Sequence, residues 1–82
     1  MVVDEAMDQL EALPDDAQAA VRGELKKLVE NPRHLNARAM WGEWAGHWRV
    51  RAGVYRIVYQ IHRPDRIVVV RIGGRGSVYL FR

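Results

Sequence analysis

The sequence has no cysteine among its 82 residues. That excludes disulfide staples and thiolate metal sites, and it makes a reducing cytoplasm the expected compartment. No apolar run is long enough to span a bilayer, so a membrane is not an expected partner. No internal repeat is visible, which excludes solenoids and arrays. Acids are scarce in one half. Residues 42–82 hold only two, Glu43 and Asp65, against eight bases, all of them arginine. Residues 1–41 hold eight acids against five bases, so a modest net charge of +3 conceals halves of −3 and +6. Six of those acids, Asp4, Glu5, Asp8, Glu11, Asp15 and Asp16, fall in the first sixteen residues, where a secretory signal needs positive charge and an apolar run.

What is present fits one small domain over residues 1–82. A chain of this length buries about 60% of the surface its unfolded form exposes, enough for a single core and too little for two domains or a large substrate cleft. Hydrophobic residues make up 49% and charged residues 28%, the proportions of a globular chain rather than a disordered one.

Apolar spacing predicts two helices. Asp4 is a plausible N-cap, after which Ala6, Met7, Leu10 and Leu13 fall on one face. Leu13-Pro14-Asp15-Asp16 breaks the pattern and restarts it. Ala17, Val21, Leu25, Leu28 and Val29 then continue at helical spacing until Asn31-Pro32. Met1-Val2-Val3 is at most the stub of a strand, and residues 33–46, with Met40, Trp41 and Trp44, read as irregular.

From His47 the period changes to two, with Trp48 and Val50 alternating with Arg49 and Arg51. Ala52-Gly53 reads as a turn, Val54 to Ile61 as a second strand, and Ile67 to Ile72 as a β-branched strand at the buried centre of the sheet. Gly73-Gly74 reads as a bend and Ser77 to Phe81 as a last short strand. The expected fold is α+β: an N-terminal α-hairpin on one face of a small antiparallel sheet of about four strands.

A two-residue Ala52-Gly53 turn pairs Arg51 with Val54, Val50 with Tyr55 and Arg49 with Arg56. Arg49, Arg51 and Arg56 then share one face, with His47 on it opposite Val58, while Trp48, Val50, Tyr55 and Ile57 face the helices. Like charges directly opposite on a sheet are destabilising, so Arg49 against Arg56 is unfavourable unless an anion or an acidic partner is expected there. A solvated outer face is the bland alternative. Arg75 and Tyr79 follow the glycine pair four residues apart. Together these residues suggest a phosphate-binding surface with one aromatic hydroxyl.

The runs Trp48-Arg49-Val50-Arg51, Gly53, Tyr55-Arg56-Ile57-Val58-Tyr59, Val68-Val69-Val70-Arg71-Ile72-Gly73, Arg75 and Val78-Tyr79 resemble the RelE/ParE toxin superfamily, RelE branch, over about residues 4–80. The resemblance implies a toxin of a bacterial type II toxin–antitoxin module, an endoribonuclease that cleaves mRNA on the ribosome. It implies catalytic roles for Arg56, Arg75 and Tyr79 and RNA-binding roles for Arg49 and Arg51. It also implies a cognate antitoxin as partner, in a toxin–antitoxin hetero-oligomer. The chain departs from the family pattern at Gly74, where many relatives have histidine, and at Gly76, where a further base is common.

Cleavage of this type has the 2′-hydroxyl attack the adjacent phosphate. The arginines can stabilise the added charge, but arginine is a poor general base. Tyr79 is the best candidate for proton transfer and His47 a second-rank one. His34, His47 and His62 lack ligand spacing, so neither a metal nor another cofactor is expected. Trp41 and Trp44 read first as core lids or partner-groove residues, lying where an acidic antitoxin segment would fold across the sheet. The alternative reading is a non-catalytic toxin of the same fold that inhibits DNA gyrase or only binds its antitoxin.

Overall fold

A computed structural model describes residues 1–33, 36–62 and 66–74. Helix α1 spans Asp4–Glu11 and α2 spans Asp15–Glu30. A two-residue strand β1 (Arg38–Ala39) and a 3₁₀ turn (Gly42–Trp44) lead into β2 (Trp48–Ala52), β3 (Tyr55–His62) and β4 (Arg66–Gly74). The strands form one antiparallel sheet in the order β1-β2-β3-β4. The expected α+β architecture is the observed one, a helical hairpin on one face of the sheet.

Both helices begin where their sequences favour it. Asp4 and Glu5 lie in the first turn of α1, and Asp15 and Asp16 in that of α2, each set of acids facing the positive end of a helix dipole. Asp4 is itself helical; Val3 holds the N-cap position and provides no side-chain cap, so the capping role expected of Asp4 is not observed. Ala6 and Leu10 of α1 and Val21 and Leu28 of α2 are fully buried. Val29, expected on that apolar stripe, is 67% exposed. At the break between the helices, the Gln18 side-chain amide donates to the Glu11 carbonyl at 3.2 Å and to the Leu13 carbonyl at 2.9 Å. It thereby satisfies acceptors that the end of α1 leaves unpaired.

The core lies between the hairpin and one sheet face, where Val50, Ala52, Ile57, Tyr59, Ile67, Val69 and Ile72 meet the helices. Tyr59 is completely buried, and its hydroxyl donates to the Pro32 carbonyl at 2.6 Å, fastening the exit of α2 to the middle of the sheet. Burial raises its pKa to about 12, with the Arg33 guanidinium opposing the shift. That same guanidinium stands 5.7 Å over the Trp48 ring.

Several expectations are corrected. The β2–β3 turn is Gly53-Val54, because Ala52 pairs with Tyr55 and is needed in the core at 4% exposure. Gly53 takes φ 65°, a conformation glycine adopts without steric cost, and Val54 stands out at 74% exposure. Residues 33–46 are not wholly irregular, since they include β1 and the 3₁₀ turn. Among the described residues, β4 ends the four-strand order rather than lying at its centre. Its apolar run is instead covered by α1 and flanked by Met1–Val3, which bridges in parallel from Val2 to Val69. Gly73 and Gly74 do not bend the chain but extend β4. A bulge interrupts the β3–β4 ladder: Val58 pairs with Arg71 and Tyr59 with Val69, leaving Val70 unpaired. The expected strand from Ser77 to Phe81 lies outside the described residues.

Two stability measurements follow. Gly23 sits inside α2, and a Cβ built there meets nothing within 4 Å. Gly23→Ala should therefore stabilise the protein by about 0.5–1 kcal/mol in denaturant titrations. Tyr59→Phe removes a buried hydrogen bond and should cost about 1 kcal/mol near neutral pH. The unfolded tyrosine ionises near 10 while the folded one resists to about 12, so Tyr59 stabilises less as pH rises through that window. The gap between wild type and Tyr59→Phe should narrow from pH 10 upward; a constant gap would mean that the hydroxyl keeps no proton against the alkali.

Candidate functional site

The face of the sheet away from the helices is built by register. Val50 pairs with Ile57 toward the core, so Arg51 and Arg56, which pair with each other, point the opposite way. Arg49 lies two residues before Arg51 on the same face and pairs with Val58 on one side and Arg38 on the other. The expected opposition of Arg49 to Arg56 is thus replaced by two cross-strand arginine pairs, Arg51–Arg56 and Arg38–Arg49. The expected pairs Arg51–Val54 and Val50–Tyr55 fall away with the misplaced turn. The face assignment is unaffected, because the register moves by an even number of residues.

These side chains surround an open cleft of about 460 Å³ lined by Asn36, Arg38, Arg49, Val50, Arg51 and Arg56. No acid is among its described lining residues. The Arg56 Nε is buried without a hydrogen-bond partner. On its β4 side Arg56 faces Gly73, which has no side chain to crowd the guanidinium. A buried, unanswered N–H beside three more guanidinium groups suits a bound anion. Arg71 shares the face through its pairing with Val58, but Glu5 meets it at 3.2 Å. Val58 is fully buried on this outer face, and the aliphatic stems of its cross-strand neighbours Arg49 and Arg71 are placed to cover it.

His47 lies beyond the start of β2 on the same side. Its Nδ1 lies 3.2 Å from the Trp44 carbonyl and its Nε2 lies 3.1 Å from the Gln60 amide nitrogen. The carbonyl requires the proton on Nδ1, so Nε2 accepts from Gln60, whose Oε1 accepts from His62 Nε2 at 2.9 Å. Both ring nitrogens of His47 are therefore engaged within the chain, and its neighbour across the strands is Gln60 rather than the expected Val58. Trp48 packs against the core as expected. Arg75 and Tyr79 lie outside the described residues, as do His34 and Asp65. The sequence reading missed Arg38 and Asn36, because a two-residue strand is too short to show any period.

A helical hairpin on a four-stranded sheet with this topology is the fold of RelE-like toxins. The model of the ParE toxin of type II toxin–antitoxin systems matches residues 2–79, and the chain belongs to that family. It is a toxin of a type II toxin–antitoxin module of the RelE/ParE superfamily. Among solved structures, a chain of the RelBE2 toxin–antitoxin complex from Mycobacterium tuberculosis is 27% identical with a TM-score of 0.80; the match covers 92% of this chain and 94% of that one. The YoeB/ParE toxin from Agrobacterium tumefaciens is 17% identical with a TM-score of 0.77, over 92% and 95% of the two chains. The isolated E. coli RelE toxin is 19% identical with a TM-score of 0.74, over 95% and 86%. No curated protein sequence matches the chain.

The arginine pairs make opposite demands on stability. Arg51→Ala removes one member of a repelling pair and should be neutral or stabilising by a few tenths of a kcal/mol, most visibly at low salt. Arg49→Ala relieves its own pair but uncovers Val58, and should lower stability by about 0.5–1 kcal/mol. Thermal melts at low and high salt test both; a marked fall in melting temperature for Arg51→Ala would place its side chain in the core.

Proposed function

We propose that this toxin is an endoribonuclease that cleaves mRNA on the ribosome and so inhibits translation. The supporting observation is the cleft lined by Arg38, Arg49, Arg51 and Arg56, with no acid among its described lining residues and two arginine pairs held in direct opposition across the strands. Such a surface is unfavourable when empty and becomes favourable when phosphates occupy it. Arg49 and Arg51 bind the RNA backbone, and His47 borders them at the edge of the same face with its ring held by Trp44 and Gln60. Arg56 and Arg75 stabilise the charge that builds on the phosphate as the neighbouring 2′-hydroxyl attacks. Tyr79 moves the proton. Much of the acceleration comes from holding the hydroxyl, phosphorus and leaving oxygen in line, work that the ribosome shares. No cofactor takes part.

The antitoxin is the second partner. An acidic segment that lies across the same face neutralises the arginines and blocks the RNA site at once. Co-expression with the neighbouring small open reading frame should yield a stable complex. A second reading, inhibition of DNA gyrase, draws its support from the ParE toxin model that the chain matches.

Mapping mRNA 5′ ends after brief induction, with a gyrase supercoiling assay alongside, separates the two. New 5′ ends with normal supercoiling support cleavage; the reverse supports gyrase inhibition. Tyr79→Phe should lower cleavage by roughly 10²-fold while ribosome binding persists. Arg75→Ala should lower it by about 10²–10³-fold. Arg51→Ala should weaken RNA binding and reduce the log–log salt slope by about one at most. Wild-type cleavage by Tyr79→Phe would leave that residue no part in proton transfer.

A further inference from the structure

Trp41 is 87% exposed, more than any other large hydrophobic side chain among the described residues. It borders a groove of about 340 Å³ lined by Arg38, Ala39, Met40, Trp41, Trp44 and Arg49. Arg38 and Arg49 line this groove and the arginine cleft alike, so the two are continuous and share a cationic wall. The remaining wall is aromatic and apolar. Trp44 is steadied by an edge contact with His47, ring centres 5.1 Å apart and planes at 86°.

Between Met40 and His47 the backbone is folded onto itself. Met40 N–H donates to the His47 carbonyl, Trp44 N–H to Trp41, Ala45 N–H to Gly42 and His47 N–H to Trp44. A peptide that docks by strand addition needs a row of open amides, and those of Met40, Trp44, Ala45 and His47 are closed into their own turn. Recognition is left to a flat ring and two guanidinium groups. That pairing matches the two parts of a nucleotide, a base with a π-face and a phosphate.

We propose that Trp41 forms a base-stacking subsite for single-stranded RNA, outside the residues assigned to cleavage. A strand whose phosphate rests on Arg38 and Arg49 lays the adjoining unstacked base on the indole. The inference rests on the reading of the protein as an RNA-cleaving toxin and extends it to a position that holds substrate without touching the reacting atoms. Stacking tolerates every base, so the subsite adds affinity and register more than sequence preference.

The test uses the full chain and two probes. One is a single-stranded 2′-O-methyl RNA oligomer, which has no free 2′-hydroxyl and is not cut. The other is the same backbone with abasic residues throughout, equal in charge. Trp41→Ala should lose about 5- to 150-fold affinity for the base-bearing oligomer, the equivalent of one base–aromatic stack. Its salt slope and melting temperature should match wild type, Trp41→Phe should recover most of the loss, and the abasic oligomer should bind wild type and Trp41→Ala alike. Equal affinity of wild type and Trp41→Ala for the base-bearing oligomer overturns the subsite and leaves RNA binding intact. Failure of wild type to bind either oligomer overturns the subsite together with the RNA reading. Unchanged RNA affinity with lost capture of the antitoxin overturns it as well, and makes Trp41 a protein-docking residue.

Discussion

Everything on the outer surface depends on Val50 lying opposite Ile57 beneath the two helices. That pair is buried because the helical hairpin presents Ala6, Leu10, Val21 and Leu28 to the sheet. Once it faces inward, the alternation of a β-strand leaves Arg49, Arg51 and Arg56 no choice of side. The energy that holds mutually repelling guanidinium groups in a row comes from the far side of the sheet. Burying an aliphatic side chain contributes about 1.5–3 kcal/mol, whereas a like-charged pair across strands costs about 0.2–1 kcal/mol. The core therefore outweighs the repulsion.

This division of labour explains why the arginine face was legible in the sequence although the turn was misplaced. Ala52-Gly53 and Gly53-Val54 differ by one position, and the resulting register by two, which is a full period of the strand. The core's need for Ala52 decided the matter, and no local turn preference reveals that need. Arg38 was invisible for a different reason. Its strand has two residues and exists only because β2 offers it partners. The run Ile67 to Val70 misled by being apolar throughout, the mark of a strand covered on both sides. Among the described residues, α1 covers one face of β4 and the Met1–Val3 segment pairs along its outer edge. The roles of Arg75 and Tyr79 rested on family resemblance, and local pattern could not have supplied them.

The hairpin itself is tied to the sheet by few polar contacts. Gln9 Oε1 accepts from the Ile72 N–H at 2.8 Å, Glu5 meets Arg71, and Tyr59 reaches the carbonyl of Pro32 as the chain leaves α2. Beyond Pro32 the chain passes to β1, so the Tyr59 anchor lies at the root of the segment that brings Arg38 beside Arg49. The hydroxyl in the core and the guanidinium pair on the surface are successive steps along one stretch of chain.

The bulge at Val70 makes the length of β4, as distinct from its composition, a separate variable. Strict alternation from Ile67 and Val69 would turn Arg71 inward and Ile72 outward. The unpaired residue absorbs that mismatch, so Ile72 meets Ile57 in the core while Arg71 stays outside. A chain one residue shorter here could pair β3 with β4 without interruption and keep the same residues on the same faces. It would lose the extra local twist that a bulge imparts, and with it the angle at which Gly73 passes Arg56. Insertions and deletions at this point would act as a steering adjustment, re-aiming the end of the strand across the cleft while leaving its chemistry unchanged.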